Sequence, residues 1–292
     1  MYLINFEVIK ENNMLRNKLF IIVLTIVSNT NAQNDTAYLK ANAVRIDNVE
    51  KLPYSAYTLL SPFKIIMFGE MHGTNESAPF VAGLANLFTN NNDSVQVGLE
   101  IPPESMKLFI SQRTDSNIYK SNFFLHPAYQ SGKESFAWAN LLSKLNSNPK
   151  VNIFFFDVNA NEGILYQRDS LMYAKIKTQF KKHPAWKVLT ISGNFHNRIS
   201  GETTMALFLK QGKELDITSK ICSLNMEYKE GSAMANFTHG LELKQLGSYP
   251  SAFNSTLGYD RYLILLSSKS NYPYNGFYYT KFITAAKMII HE

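Results

Sequence analysis

From about residue 60 the chain alternates short, nearly continuous apolar runs with longer segments whose apolar positions recur every three or four residues. A run of the first kind suits a strand covered on both faces, and the second spacing lines one apolar stripe along a helix. Strands are predicted over Phe63–Phe68, Val95–Leu99, Val151–Phe156 and Lys187–Ile191. A helix is predicted over Glu76–Phe88, where Phe80, Val81, Leu84, Leu87 and Phe88 share a face and Thr74 or Asn75 would serve as N-cap. Others open at Pro103, a residue suited to the first helical position, and span Ser135–Leu145 and Leu165–Phe180. In the last of these, Leu165, Asp169, Met172, Ile176 and Phe180 form one stripe with a polar first turn, and Arg168 stands one turn before Met172.

This alternation predicts an α/β fold, a central and mainly parallel sheet with helices on both faces. Beyond residue 200 the pattern thins. Thr203–Leu209 reads as a helix, and Ile217–Met226 and Tyr262–Leu266 read as strands. The tyrosine-rich segments Tyr249–Tyr259 and Tyr272–Tyr279, punctuated by Gly and Pro, read as loops or short strands. Together they predict a C-terminal β-rich addition. No internal repeat, low-complexity linker or further domain boundary interrupts the chain.

The N-terminus changes the picture of where the protein works. Arg16 and Lys18 precede the apolar run Leu19–Val27 and the small, polar stretch Ser28–Ala32, which reads as a secretory signal peptide cut after about Ala32. Nine apolar residues are too few to span a bilayer as a helix, which needs about 20. The expectation is therefore a leader over 1–32, with Met14 a candidate true start, and one exported domain over 33–292, periplasmic or secreted. The one cysteine, Cys222, permits no internal disulfide and reads as a buried structural thiol. The excess of 29 Lys and Arg over 23 Asp and Glu is spread along the chain rather than gathered into a run, so no nucleic-acid partner is expected.

In an open α/β sheet ligands bind beyond the carboxyl ends of the strands. The first predicted strand ends in Gly69-Glu70-Met71-His72, the second in Glu100, the third in Asp157 and the fourth in Gly193-Asn194-Phe195-His196. Parallel neighbours lie about 5 Å apart, so these groups would share one crevice. Composition alone would yield about 0.3 Gly-x-x-His strings in a chain like this. The sequence has two, each directly after a predicted strand. His126, His183, His239 and His291 sit in polar or loop-like surroundings and are expected at the surface. No GxSxG elbow, HExxH helix, GxGxxG or P-loop is present, which argues against serine nucleophiles and nucleotide binding.

The segments FGEMHGTNE, GLEIP, RDSLMYAKI and ISGNFHN, in that order, resemble the Tiki/TraB superfamily, with its ChaN-like haem-binding uptake proteins and erythromycin esterase-like proteins. That superfamily is marked by two GxxH motifs and an intervening glutamate, which correspond here to His72, Glu100 and His196. The resemblance covers roughly residues 60–200 and implies an α/β fold with these residues in one cleft. The single GxxH spacing at His72 is similar to the ChaN and Tiki side, while HGTNE and the Arg168-Asp169 pair are similar to the esterase side.

Two functions follow as expectations. In the first, the protein is a hydrolase of an ester or amide bond in a small-molecule or peptide substrate. His72 with Glu70 or Glu100 would activate a water, and His196 with Arg168 would stabilise the oxyanion or protonate the leaving group. Alternatively His72, Glu100 and His196 would hold a divalent metal with an open position for water. Gly69, Gly193, Asp157 and Asp169 would support the site. In the second, an exported protein with 16 tyrosines would bind haem or another iron compound through Tyr or His.

Overall fold

A computed structural model describes residues 37–125, 131–158, 167–212, 215, 217–236, 240–247, 257–267 and 270–289. The expected leader, His126, His239 and His291 lie outside these residues, as does most of the Tyr249–Tyr259 segment. The chain divides into a main unit, 43–250 with 259–292, and a small one, 1–42 with 251–258, in which the described residues include a short helix at 37–42.

The main unit is built on one sheet, nine-stranded among the described residues. Across it run β1 (Val44–Arg45), β8 (Arg261–Leu265), β9 (Gly276–Ile283), β6 (Ile221–Asn236), β2 (Ile65–Glu70), β5 (Lys187–Gly193), β3 (Val95–Leu99) and β4 (Val151–Phe155), with β7 (Leu241–Leu246) paired to the far end of β6. All pairings from β9 to β4 are parallel. The antiparallel ones are β1 with β8, β8 with β9, and β6 with β7. The helices of the main unit are α1 (Tyr54–Leu60), α2 (Ser77–Asn90), α3 (Lys107–Ser111), α4 (Asp115–Tyr119), α5 (Asn122–Leu125), α6 (Phe136–Asn146), α7 (Arg168–Lys182) and α8 (Met205–Gln211).

Two apolar layers explain why the central strands read as unbroken runs. On one face Phe80, Leu84 and Phe88 of α2 and Trp138 and Leu142 of α6 join a core with Ile66, Phe68, Val97, Leu189 and Ile191. On the other, Met172, Ile176 and Phe180 of α7 and Met205 and Leu209 of α8 join one with Ile65, Met67, Phe154 and Val188. Successive residues of β2 thus point into opposite cores, and all six are buried. Burying one such large side chain contributes roughly 1.5–3 kcal/mol, so the layers hold the strand ends in fixed register.

The expected C-terminal β-rich addition is present, as a continuation of the central sheet. In several details the structure departs from the sequence reading. Its β6 is 16 residues long and begins only after a short 3-10 turn at Thr218–Lys220. Tyr272–Tyr279, read as loop or short strand, contributes to β9, which pairs parallel with β6. Pro103 opens a 3-10 turn ahead of α3 rather than one long helix. Neither Thr74 nor Asn75 caps α2. The cap position falls on Glu76 without a side-chain bond. Thr74 instead donates its hydroxyl to Met71 O, and the Asn75 amide donates to Thr284 Oγ1 and Ala285 O.

Asn75 is drawn away by the C-terminal segment, which fastens the loop after β2. Gly73 O accepts from Met234 N at 2.9 Å and from Ala286 N at 2.8 Å, while Asn75 N donates to Thr284 O at 3.0 Å. Further along, Phe136 N at the start of α6 donates to Lys287 O. Gly73 has φ +73°, and a Cβ there would lie 1.7 Å from Met234 O, so both backbone conformation and space require glycine. Gly73→Ala is therefore expected to cost more than about 2 kcal/mol, seen as a lower urea midpoint at unchanged slope. An unchanged midpoint would show that the loop does not pack as described.

Candidate functional site

Because β2, β5, β3 and β4 are consecutive and parallel, their carboxyl ends place the motif residues along one edge. At its centre lies Glu100, directly after β3 and 1% exposed. Such a carboxylate needs partners on both oxygens. Oε1 accepts from Arg168 Nη2 at 2.5 Å and lies 3.1 Å from Lys133 Nζ. Oε2 accepts from Gly193 N at 2.6 Å. Lys133 Nζ also donates to Glu100 O at 2.9 Å. Burial alone would raise the Glu100 pKa, but Lys133, His72, His196 and Arg168 outweigh it and hold the carboxyl well below the usual carboxylate range.

Two carboxylate–histidine pairs face this glutamate. His72 Nδ1 lies 2.7 Å from Glu70 Oε1, and Trp138 Nε1 donates to Glu70 Oε2 at 3.3 Å. His196 Nδ1 lies 2.9 Å from Asp169 Oδ1, which also accepts from Met205 N at 2.6 Å. Each imidazole points Nε2 toward Glu100 at 3.8 Å, His72 to Oε2 and His196 to Oε1. A carboxylate only accepts, so both rings donate from Nδ1. The second nitrogens differ in surroundings. His196 Nε2 accepts from Arg168 Nη1 at 3.1 Å, whereas among the described residues no such donor reaches His72 Nε2, and the His72 side chain is 29% exposed.

Arg168 opens α7 and connects the whole set. Its Nε and Nη2 donate to Asp157 Oδ1 and Oδ2, both at 2.8 Å, while Nη2 also reaches Glu100 and Nη1 reaches His196. Burial would lower its pKa, but the bonds to Asp157 and the charge of Glu100 raise it, so the guanidinium stays charged.

The two motif glycines act by permitting close approach. At Gly193 a Cβ would sit 3.1 Å from His72 Nε2. At Gly69 it would sit 2.9 Å from Asn194 Cα. Gly69 is an interior residue of β2, and its missing side chain lets the strand touch the turn that carries His196.

All the expected residues, Gly69, Glu70, His72, Glu100, Asp157, Arg168, Asp169, Gly193 and His196, belong to this one cluster. Sequence reasoning missed Lys133 and Trp138. A buried Trp N–H needs an acceptor, which gave a faint signal for Trp138. For Lys133, 33 residues from Glu100, local pattern offered none. Cys222, buried in β6, is the structural thiol expected. His183 is exposed, as expected.

The donors do not fit a divalent metal as they stand. Glu100 is already neutralised by a guanidinium and an ammonium, and His196 Nε2 is taken by Arg168. Among the described residues no group of three or more His, Cys, Asp or Glu side chains is arranged to hold a metal ion. No described helix is long and apolar enough to cross a membrane.

No protein-family model matches the sequence, and no curated protein does. Solved structures share its fold. A Bacillus cereus protein superposes with TM-score 0.66 at 11% identity, over 89% of this chain and 99% of that one. A succinoglycan biosynthesis protein gives 0.62 at 10%, over 88% and 98%. A mutant of the erythromycin esterase EreC in its open conformation gives 0.60 at 9%, over 86% and 99%. At these identities the likeness establishes the α/β fold.

Breaking the Arg168 fork leaves Glu100 and Asp157 without their shared cation. Arg168→Met should cost roughly 2–4 kcal/mol in urea unfolding, and clearly less in a Glu100→Gln background. Fully additive losses would contradict the coupling.

Proposed function

We propose that the protein is a hydrolase of an ester or amide bond in which the Glu70–His72 pair activates water without a metal. The observation that carries this reading is the asymmetry of the two imidazoles: His72 is held from behind by buried Glu70 and keeps Nε2 open toward the crevice. A carboxylate behind an imidazole fixes its tautomer and stabilises the imidazolium that forms. Glu100 is a poor base here, because its oxygens already accept from cations and an amide.

In the proposed reaction a water at His72 Nε2 attacks the substrate carbonyl and gives its proton to the ring. Arg168 stabilises the developing oxyanion through its second Nη1–H, the one N–H of five that its bonds to Asp157, Glu100 and His196 leave over among the described residues, a task that His196 does not share while its Nε2 is an acceptor. As the tetrahedral species collapses, the C–O or C–N bond breaks and His72 returns the proton to the leaving atom. An erythromycin esterase with this fold makes an ester the first bond to assay. Export after loss of residues 1–32 belongs to the same proposal, because the leader pattern would deliver the enzyme outside the cytoplasm.

The haem alternative has less to stand on. Tyr274 OH donates to Asn194 O, and Tyr272 OH donates to Glu227, so both hydroxyls beside the His196 turn are engaged within the protein. A haemin titration with no Soret shift is the expected result.

His72→Ala should lower kcat on an activated ester about 10²–10⁴-fold while leaving the urea midpoint in place. Exhaustive dialysis against a chelator should leave the wild-type rate intact. Undiminished hydrolysis by the alanine variant would rule out the scheme, and loss of rate restored by a divalent ion would return the metal mechanism.

A further inference from the structure

The turn that carries His196 also presents groups the proposed chemistry does not use. Phe195, between Asn194 and His196, is 39% exposed. Its ring centroid lies 6.0 Å from the His196 ring in an edge-on arrangement. The Arg198 guanidinium lies over the Phe195 ring, 5.0 Å from its centroid. This cation differs from Arg168 and Lys133. Among the described residues Arg198 has no ion-pair partner, its Nε is buried without an acceptor, and neither Nη makes a hydrogen bond.

A guanidinium stacked on an aromatic ring keeps its in-plane donors available, and the fork of Nη1 and Nη2 matches the two oxygens of a carboxylate. With Nε covered, that end-on fork is the part left to meet a ligand. The cations within the crevice are ion-paired with Glu100 and Asp157. Arg198 thus offers an uncommitted positive charge next to the candidate residues, with an apolar surface between it and His196.

We propose that Phe195 and Arg198 form a substrate-recognition subsite for an amphiphilic anion, a molecule whose apolar part lies on the Phe195 ring and whose oxyanion, a carboxylate or phosphate, pairs with Arg198. The subsite rests on the reading of the crevice as a substrate site and adds the substrate class: an ester or amide carrying an anionic group one apolar spacer away from the scissile carbonyl.

Binding separates this inference from the hydrolase reading, because it needs no turnover. Calorimetric titration of the full chain with 4-phenylbutyrate and with neutral 4-phenylbutyramide should show the acid binding at least about tenfold more tightly, Arg198→Met erasing that preference, and Arg198→Lys keeping part of it. Phe195→Ala should weaken both probes. Equal binding of the two probes by the wild type, or a preference that survives Arg198→Met in a protein with an unchanged circular dichroism spectrum, would overturn the subsite. Should an ester substrate be found, the kcat/KM ratio of an ω-carboxylated ester to its neutral analogue should fall about tenfold in Arg198→Met. A chain that prefers the acid through Arg198 yet hydrolyses no ester or amide would keep the subsite and lose the hydrolase.

Discussion

A buried carboxylate surrounded by two fixed cations and a backbone amide is the constraint on which the rest of the site depends. Glu100 cannot remain ionised at 1% exposure without Arg168, Lys133 and the Gly193 amide. Each partner comes from a different segment. Arg168 starts α7, Lys133 precedes α6, and Gly193 ends β5. Satisfying one glutamate therefore draws three separate segments together at the sheet edge. The two histidines gain their positions by the same device, since Arg168 also holds His196 and the lack of a Gly193 side chain lets His72 come close.

That arrangement also sorts the roles of chemically similar groups. Four carboxylates lie in the cluster, yet none is left with the freedom a general base needs. Asp157 is gripped by Arg168, Asp169 by His196 and Met205 N, Glu70 by His72 and Trp138, and Glu100 by its cations. What remains open among the described residues is the outer nitrogen of His72. In the proposed reaction the base is therefore the one imidazole whose outer nitrogen faces the crevice.

Much of this was legible in the sequence because the central strands are buried on both faces. A residue such as Met67 must be apolar whichever core it enters, so the runs stand out and the polar residues just beyond them mark the edge. The reading failed where the determining contact is distant. Lys133 is hidden by Glu100, a partner in another segment. The capping role expected of Asn75 was lost to Thr284 and Ala285, about 210 residues away, and that of Thr74 to Met71 O. In β6, the polar Glu227, Lys229 and Glu230 interrupt the apolar run, and the strand continues regardless because β9 and β7 pair with it. Backbone pairing with a partner strand does not require a local hydrophobic pattern.

The most direct test of the central claim is the protonation site of the two imidazoles, read by long-range ¹H–¹⁵N NMR on protein labelled at histidine. Carboxylates behind both rings and a guanidinium in front of one require His72 and His196, in their neutral forms, to carry the proton on Nδ1, the tautomer that free imidazole side chains populate less. Signals of that type for both residues are the expected result. An Nε2-protonated His196 would contradict the account, since Arg168 could then no longer tie that ring to the buried glutamate.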